Sequence, residues 1–129
     1  MPYDITWETK GLFKRFYGFA TVNEFKESVT LVHEDTRFAS ISYSINDLLA
    51  VDGLSTQELC FGDIISSEIT SHLKNLNLRT AIVTKDTALI KYLGEYAKVP
   101  GAFIAFKIFP DLESARLWAA ADPGLEVNS

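Results

Sequence analysis

The sequence is poor in the residues that build disulfides, metal sites and nucleic-acid contacts. Cys60 is its single cysteine, so no disulfide can close within the chain, and no C-x-x-C spacing offers a redox pair. That fits a reducing compartment, and a cytoplasmic location is the expectation. His33 and His72 are the only histidines. His72 follows Glu68 at a spacing that brings two ligands together on a helix, but no third ligand at a matching spacing completes a metal set. Neither a metal nor any other cofactor is expected. Against 17 Asp and Glu stand only 12 Lys and Arg, for a net charge of −5. Such a chain repels phosphate backbones, and no basic cluster offsets this, so nucleic-acid binding is disfavoured. Long hydrophobic runs are missing too: the longest, Val99–Phe109, is broken by Pro100 and Lys107 and is too short to span a bilayer. Met1-Pro2-Tyr3-Asp4 shows neither the charged nor the apolar region of a signal peptide, so none is expected.

What remains is ample core material. Of 129 residues, 47% are hydrophobic and 12% aromatic, which suits a single packed domain and excludes disorder. Tyr3, Ile5 and Trp7 alternate with Asp4, Thr6 and Glu8, the pattern of a strand with one buried face. Thr9-Lys10-Gly11 is turn chemistry and Leu12–Gly18 a second strand, which together make a β-hairpin. Thr21-x-x-Glu24 is a capping box, and Val22, Phe25, Val29 and Val32 recur at helical spacing through residues 21–34. Ile41, Tyr43 and Ile45 alternate with Ser42, Ser44 and Asn46 in a third strand whose half-polar pattern suggests a sheet covered mainly on one face.

Ser55-x-x-Glu58 opens a helix over residues 56–75, and a short apolar strand follows at Thr80–Thr84. Asp86 caps a helix reaching Ala97, which Pro100-Gly101 ends. Phe103–Phe109 is the fifth strand, and Asp111 caps a last helix through Ala121. The order ββαβαβαβα predicts a mixed, mostly parallel five-stranded α/β sheet in one domain over residues 1–129.

Three groups of residues resemble bacterial SpoIIAA-like proteins across almost the whole chain. They are Pro2-Tyr3-Asp4-Ile5-Thr6-Trp7-Glu8, Asp35-x-Arg37-Phe38, and Ile108-Phe109-Pro110 followed by Ala115-Arg116-x-Trp118. That family shares a βα superhelix with STAS domains and CRAL-TRIO lipid carriers, and the resemblance implies helices mainly on one face of the sheet. STAS relatives act through protein contacts, some switched by phosphorylation at an Asp-Ser-Ser-Gly motif. CRAL-TRIO relatives enclose hydrophobic molecules behind moving helices. The STAS motif would fall on Ser55-Thr56-Gln57-Glu58, which puts Thr56 at the phosphoacceptor position and Glu58 in place of the glycine. Phosphate at a helix N-terminus is electrostatically favourable, yet the capping box accounts for Ser55 and Glu58 without it.

The helices at 56–75 and 86–97 carry more apolar circumference than contact with a sheet requires. Phe61, Ile65, Ile69, His72 and Leu76 form one stripe, widened by Leu59, Leu73 and Ile64. Leu89, Leu93, Tyr96 and Ala97 form the other, widened by Ile90 and Tyr92. An ordinary core is the commoner meaning of such stripes. The functional meaning is a nonpolar cavity lined by Phe61, Ile65, Ile69, His72, Leu89, Leu93, Tyr96, Phe103 and Phe106, with the two helices as its gate. Gly62 and Gly94 weaken these helices by about 1 kcal/mol each relative to Ala, as a gate requires. Glu58, Asp63 and Glu68 against Lys74 make stable membrane anchoring unfavourable and leave only transient contact during loading. Asp47 and Asp52 flank the end of the third strand, where α/β sheets commonly bind ligands, and Asp52-Gly53 reads equally as a turn. No nucleophile or phosphate-cradling loop accompanies them, and Cys60 reads as a small buried residue, so no catalytic set is expected. The expected function is non-enzymatic binding of a hydrophobic small molecule or lipid. The alternative is a STAS-like regulatory module with a protein partner. Homodimerisation is a further way to cover the apolar helix pair.

Overall fold

The computed structural model describes residues 3–20, 22–54, 75, 78–87, 90, 91, 94 and 106–120. The hairpin forms as its alternation dictates. Strand β1 (Tyr3–Trp7) pairs antiparallel with β2 (Gly11–Ala20), from Tyr3 opposite Phe16 to Trp7 opposite Leu12. The turn closes where the Glu8 amide donates to the Gly11 carbonyl at 2.8 Å. Gly11 is required by close approach: a Cβ there would collide with the Tyr43 ring. Gly18 is required by conformation, with φ at +69° between two irregularities that carry β2 beyond the hairpin.

Helix α1 (Val22–Glu34) buries Phe25, Val29 and Val32, one stripe of its helical period. Its last turn holds His33, placed where a cation is favoured and with its ring 4.9 Å from that of Phe38. A short 3-10 turn (Thr36–Ser40) follows, capped by Asp35, whose carboxylate accepts from the Arg37 amide at 2.9 Å. Strand β3 (Tyr43–Leu54) is longer than its alternating segment suggested, and Asp52-Gly53 lies within it rather than in a turn, with Gly53 paired to Phe19. Strands β4 (Arg79–Val83) and β5 (Phe106–Phe109) then lead to helix α2 (Leu112–Ala120). Asp111 caps α2 as its position predicts, accepting from the Ser114 amide at 2.7 Å. Between β4 and β5, residues 87, 90, 91 and 94 are helical, and the Asp86 carbonyl accepts the first bond of that stretch from Ile90 at 3.0 Å.

The sheet order is β1-β2-β3-β4-β5, antiparallel at the first pair and parallel thereafter. On one face, α1 and the 3-10 turn close a core of Leu12, Val32, Phe38, Ile41 and Leu78, with Ile5 and Trp7 against it. On the other, α2 packs Ala115 and Ala119 onto Ile45, Ala81 and Val83, with Phe13, Tyr43, Phe109, Leu112 and Trp118 around them. The half-polar pattern of β3 therefore needs correction as a sign of a bare face. Ser44 and Asn46 are as buried as Ile45, because β3 is the central strand and both its faces are covered.

Candidate functional site

A row of polar side chains is buried on the α1 side of the sheet. Strand period puts Ser44 and Asn46 of β3 on that face, and the register sets Leu12 and Lys14 of β2 beside them and Thr80 and Ile82 of β4 on the other flank. Asn46 retains 4% of its exposure and Thr80 none. Neither Asn46 Oδ1 nor Thr80 Oγ1 has a hydrogen-bond partner. A buried polar group left unmatched costs about 1–3 kcal/mol. Two of them on adjacent strands, two residue pairs apart along the ladder, form the least satisfied place among the described residues. Lys14, also buried, extends its ammonium toward α1, 5.8 Å from the Phe25 ring centroid. Apolar Leu12 and Ile82 lie at the borders of the patch.

A second cluster lies on the α2 side. Tyr43 donates its hydroxyl to Glu8, and Arg116 grips the same carboxylate with two bonds of 3.2 and 3.0 Å while its guanidinium lies 5.0 Å from the Phe13 ring. The Arg116 bonds hold the Glu8 carboxyl below its usual range. Burial and the neighbouring carboxylate push the Tyr43 phenol up to about 12. Both groups therefore keep one protonation state near neutrality, and neither is poised for proton transfer. The cluster is a clasp that ties α2 to the hairpin and to β3.

Of the residues expected to line a cavity, Phe106 lies within the described residues, at the register position of Thr80 on β5. Phe61, Ile65, Ile69, His72, Leu89, Leu93, Tyr96 and Phe103 lie outside them, as do Thr56, Cys60 and the capping box at Ser55 and Glu58. Ile90, which is expected to widen the second stripe, is 38% exposed on its helical stretch. Asp47 is buried and accepts from the Leu49 amide at 2.9 Å, which makes it a local backbone tie. Sequence reasoning missed Asn46 and Thr80: both were read as the solvent side or the body of a strand, and a polar residue in a central strand was the available signal. Among the described residues no group of His, Cys, Asp and Glu could hold a metal ion, and no helix is long and apolar enough to cross a membrane.

The arrangement of strands has a solved counterpart. The structure of an uncharacterised protein of the DUF3478 family from Shewanella loihica, described as having a SpoIIAA-like fold, superposes with a TM-score of 0.58, covering 92% of this chain and 93% of that one at 22% identity. This chain has the SpoIIAA-like fold. No protein-family model and no curated protein matches it. Within the SpoIIAA-like fold the residues that carried the sequence resemblance are fastenings. Arg37 forms a twin-bonded pair with Asp35 and stacks 4.4 Å over the Trp7 ring. Phe109 and Trp118 meet with ring centroids 5.6 Å apart, and Ala115 is fully buried.

Proposed function

We propose that this protein is a non-enzymatic binding module for a hydrophobic small molecule or lipid, with the α1-side face of β3 and β4 as one wall of the site. The observation that carries the reading is the unmatched pair Asn46 and Thr80 in a buried row bordered by Leu12 and Ile82. Small-molecule sites are mostly apolar, with a few polar groups that fix orientation. The exposed Ile90 and the wide apolar stripes at 56–75 and 86–97 support the same reading. Native mass spectrometry of the purified protein should show a co-purifying lipid, and Nile red should bind at micromolar affinity and be displaced by it. A well-folded protein that takes up neither would end this proposal.

A STAS-like regulatory role is the second reading. Leu49 favours it, standing 41% exposed where β3 runs on past Asp47 toward Thr56 in the sequence. A stoichiometric protein partner captured from the organism's own extract, and lost on Thr56→Glu, would support it over lipid binding.

A further inference from the structure

We propose that β1 is a self-docking edge, at which two copies of this chain pair β1 to β1, antiparallel and centred on Ile5, to join their sheets. Among the described residues β1 pairs with β2 alone, at the end of the sheet. The hairpin fixes which of its backbone groups are left over. The bond from the Glu8 amide to the Gly11 carbonyl turns Glu8 toward β2, and strand alternation turns Thr6 and Asp4 the same way. Tyr3, Ile5 and Trp7 therefore point their amides and carbonyls outward. Exposed edges are commonly blunted by lysine, proline, a bulge or shortness. The far edge, β5, is four residues long, carries the exposed Lys107 and runs into Pro110. β1 has neither lysine nor proline, and its five residues pair with β2 without a register shift.

The sequence of the strand selects a second copy as the occupant. Tyr3-Asp4-Ile5-Thr6-Trp7 reads alike in kind from either end: aromatic, short polar, Ile, short polar, aromatic. A two-fold interface requires that self-complementarity. Charge then selects the register. Outward residues must stand opposite outward residues, so the possible centres are single residues along the strand. Centred on Ile5, all five residues pair, with Tyr3 opposite Trp7 and Ile5 opposite Ile5 on the α1 side and Asp4 opposite Thr6 on the other. Centred on Asp4, the two Asp4 carboxylates face each other. Centred on Thr6, each Asp4 faces the other copy's Glu8. Like charges directly opposite destabilise a cross-strand pair, so both neighbouring registers are disfavoured. The Ile5 register pairs the whole strand and keeps the carboxylates apart. Ile5 and Trp7, half-buried against the α1-side core, lose part of their remaining exposure in it. The strip is small, so the dimer is reversible, with a dissociation constant on the order of 100 μM.

The test is sedimentation equilibrium of the full chain up to about 1 mM, with amide exchange followed across the same range. Thr6 is exposed, so replacing it leaves the core intact. Thr6→Glu sets a carboxylate against Asp4 at two places in the dimer and should weaken association at least tenfold. Thr6→Lys sets an ammonium there and should tighten it about threefold, an advantage that high salt removes. The Ile5 and Trp7 amides should gain protection as concentration rises, while the Asp4 and Thr6 amides, already bonded to β2, should not change. A chain that stays monomeric at the highest concentration overturns the proposal. So does a dimer that both variants leave unaltered, or one that forms without protecting Ile5 and Trp7, because association then uses another surface.

Discussion

Asn75 shows what one side chain does for this molecule. It is buried, and its amide nitrogen donates to the carbonyls of Phe38 at 2.9 Å and Ile41 at 2.8 Å. Those carbonyls leave the 3-10 turn on the way into β3, just where Phe38 and Ile41 enter the core beside Leu78. Replacing Asn75 with Ala strands two buried acceptors, and the expected loss is about 2–3 kcal/mol. Urea unfolding should show it as a lower midpoint at an unchanged slope; a loss under 0.5 kcal/mol, on the scale of a neutral surface change, would mean that water replaces the amide. Asn46 is the same residue type under the opposite condition. Its oxygen is buried beside β4 with no donor against it, so the one asparagine fastens the fold while the other is left unmatched.

At the level of elements, α2 is held by its ends and middle more than by its length. Asp111 caps its start, Arg116 ties its centre to Glu8, and Arg79 donates to the Trp118 carbonyl at 2.8 Å while stacking 5.2 Å from the Trp118 ring. A helix of nine residues is marginal alone, and these contacts with the packed Ala115 and Ala119 make it stable. The helical stretch around residues 87–94 is built differently. Gly94 sits within it with nothing inside 4 Å of where a Cβ would stand. Gly94→Ala should therefore raise stability by up to about 1 kcal/mol, read as a higher melting temperature. If this stretch gates the site, the same variant should release Nile red more slowly. Greater stability with unchanged release would detach the gate from this stretch.

The whole molecule should respond to pH from both sides. The Glu8 carboxyl is depressed chiefly by the hydrogen bonds from Arg116, so its contribution to stability is complete above the ordinary carboxylate value of 4.5 and is lost as pH falls through its lower folded value. Tyr3 and Tyr43 run the other way. Burial and neighbouring carboxylates raise both phenols to about 12, so their contribution is complete below 10 and is lost as pH rises toward the folded value. Asp35 is also held low, at about 2, but its pair with the exposed Arg37 is screened by solvent. Stability should be flat between roughly pH 5 and 9.5 and fall on either side of that window. In urea midpoints measured across pH, Glu8→Gln should mainly shallow the acid arm and Tyr43→Phe mainly the alkaline arm, each with a smaller change in the other arm because the two groups share a hydrogen bond. An acid arm unchanged by Glu8→Gln would show that the α2 clasp contributes nothing to stability.

The order of strands, the capping of α2 by Asp111 and the position of His33 in the last turn of α1 were legible in the sequence, because they depend on local periodicity and on side chains that reach only a few residues. The SpoIIAA-like resemblance was legible for a related reason: Trp7, Arg37, Phe109, Arg116 and Trp118 are fastenings, and fastenings leave recognisable residue types. The length of β3 was not, since its later half is held by pairing to β2 beyond the hairpin and not by its own alternation. Nor was the candidate site. Ser44 and Asn46 alternate like the wet side of a half-covered strand, and only the layer packed over the α1 side of the central strand β3 turns that polar face inward. Burial belongs to the neighbours a strand acquires on folding, so tertiary structure alone decided that Asn46 and Thr80 would meet as two unmatched groups in the interior.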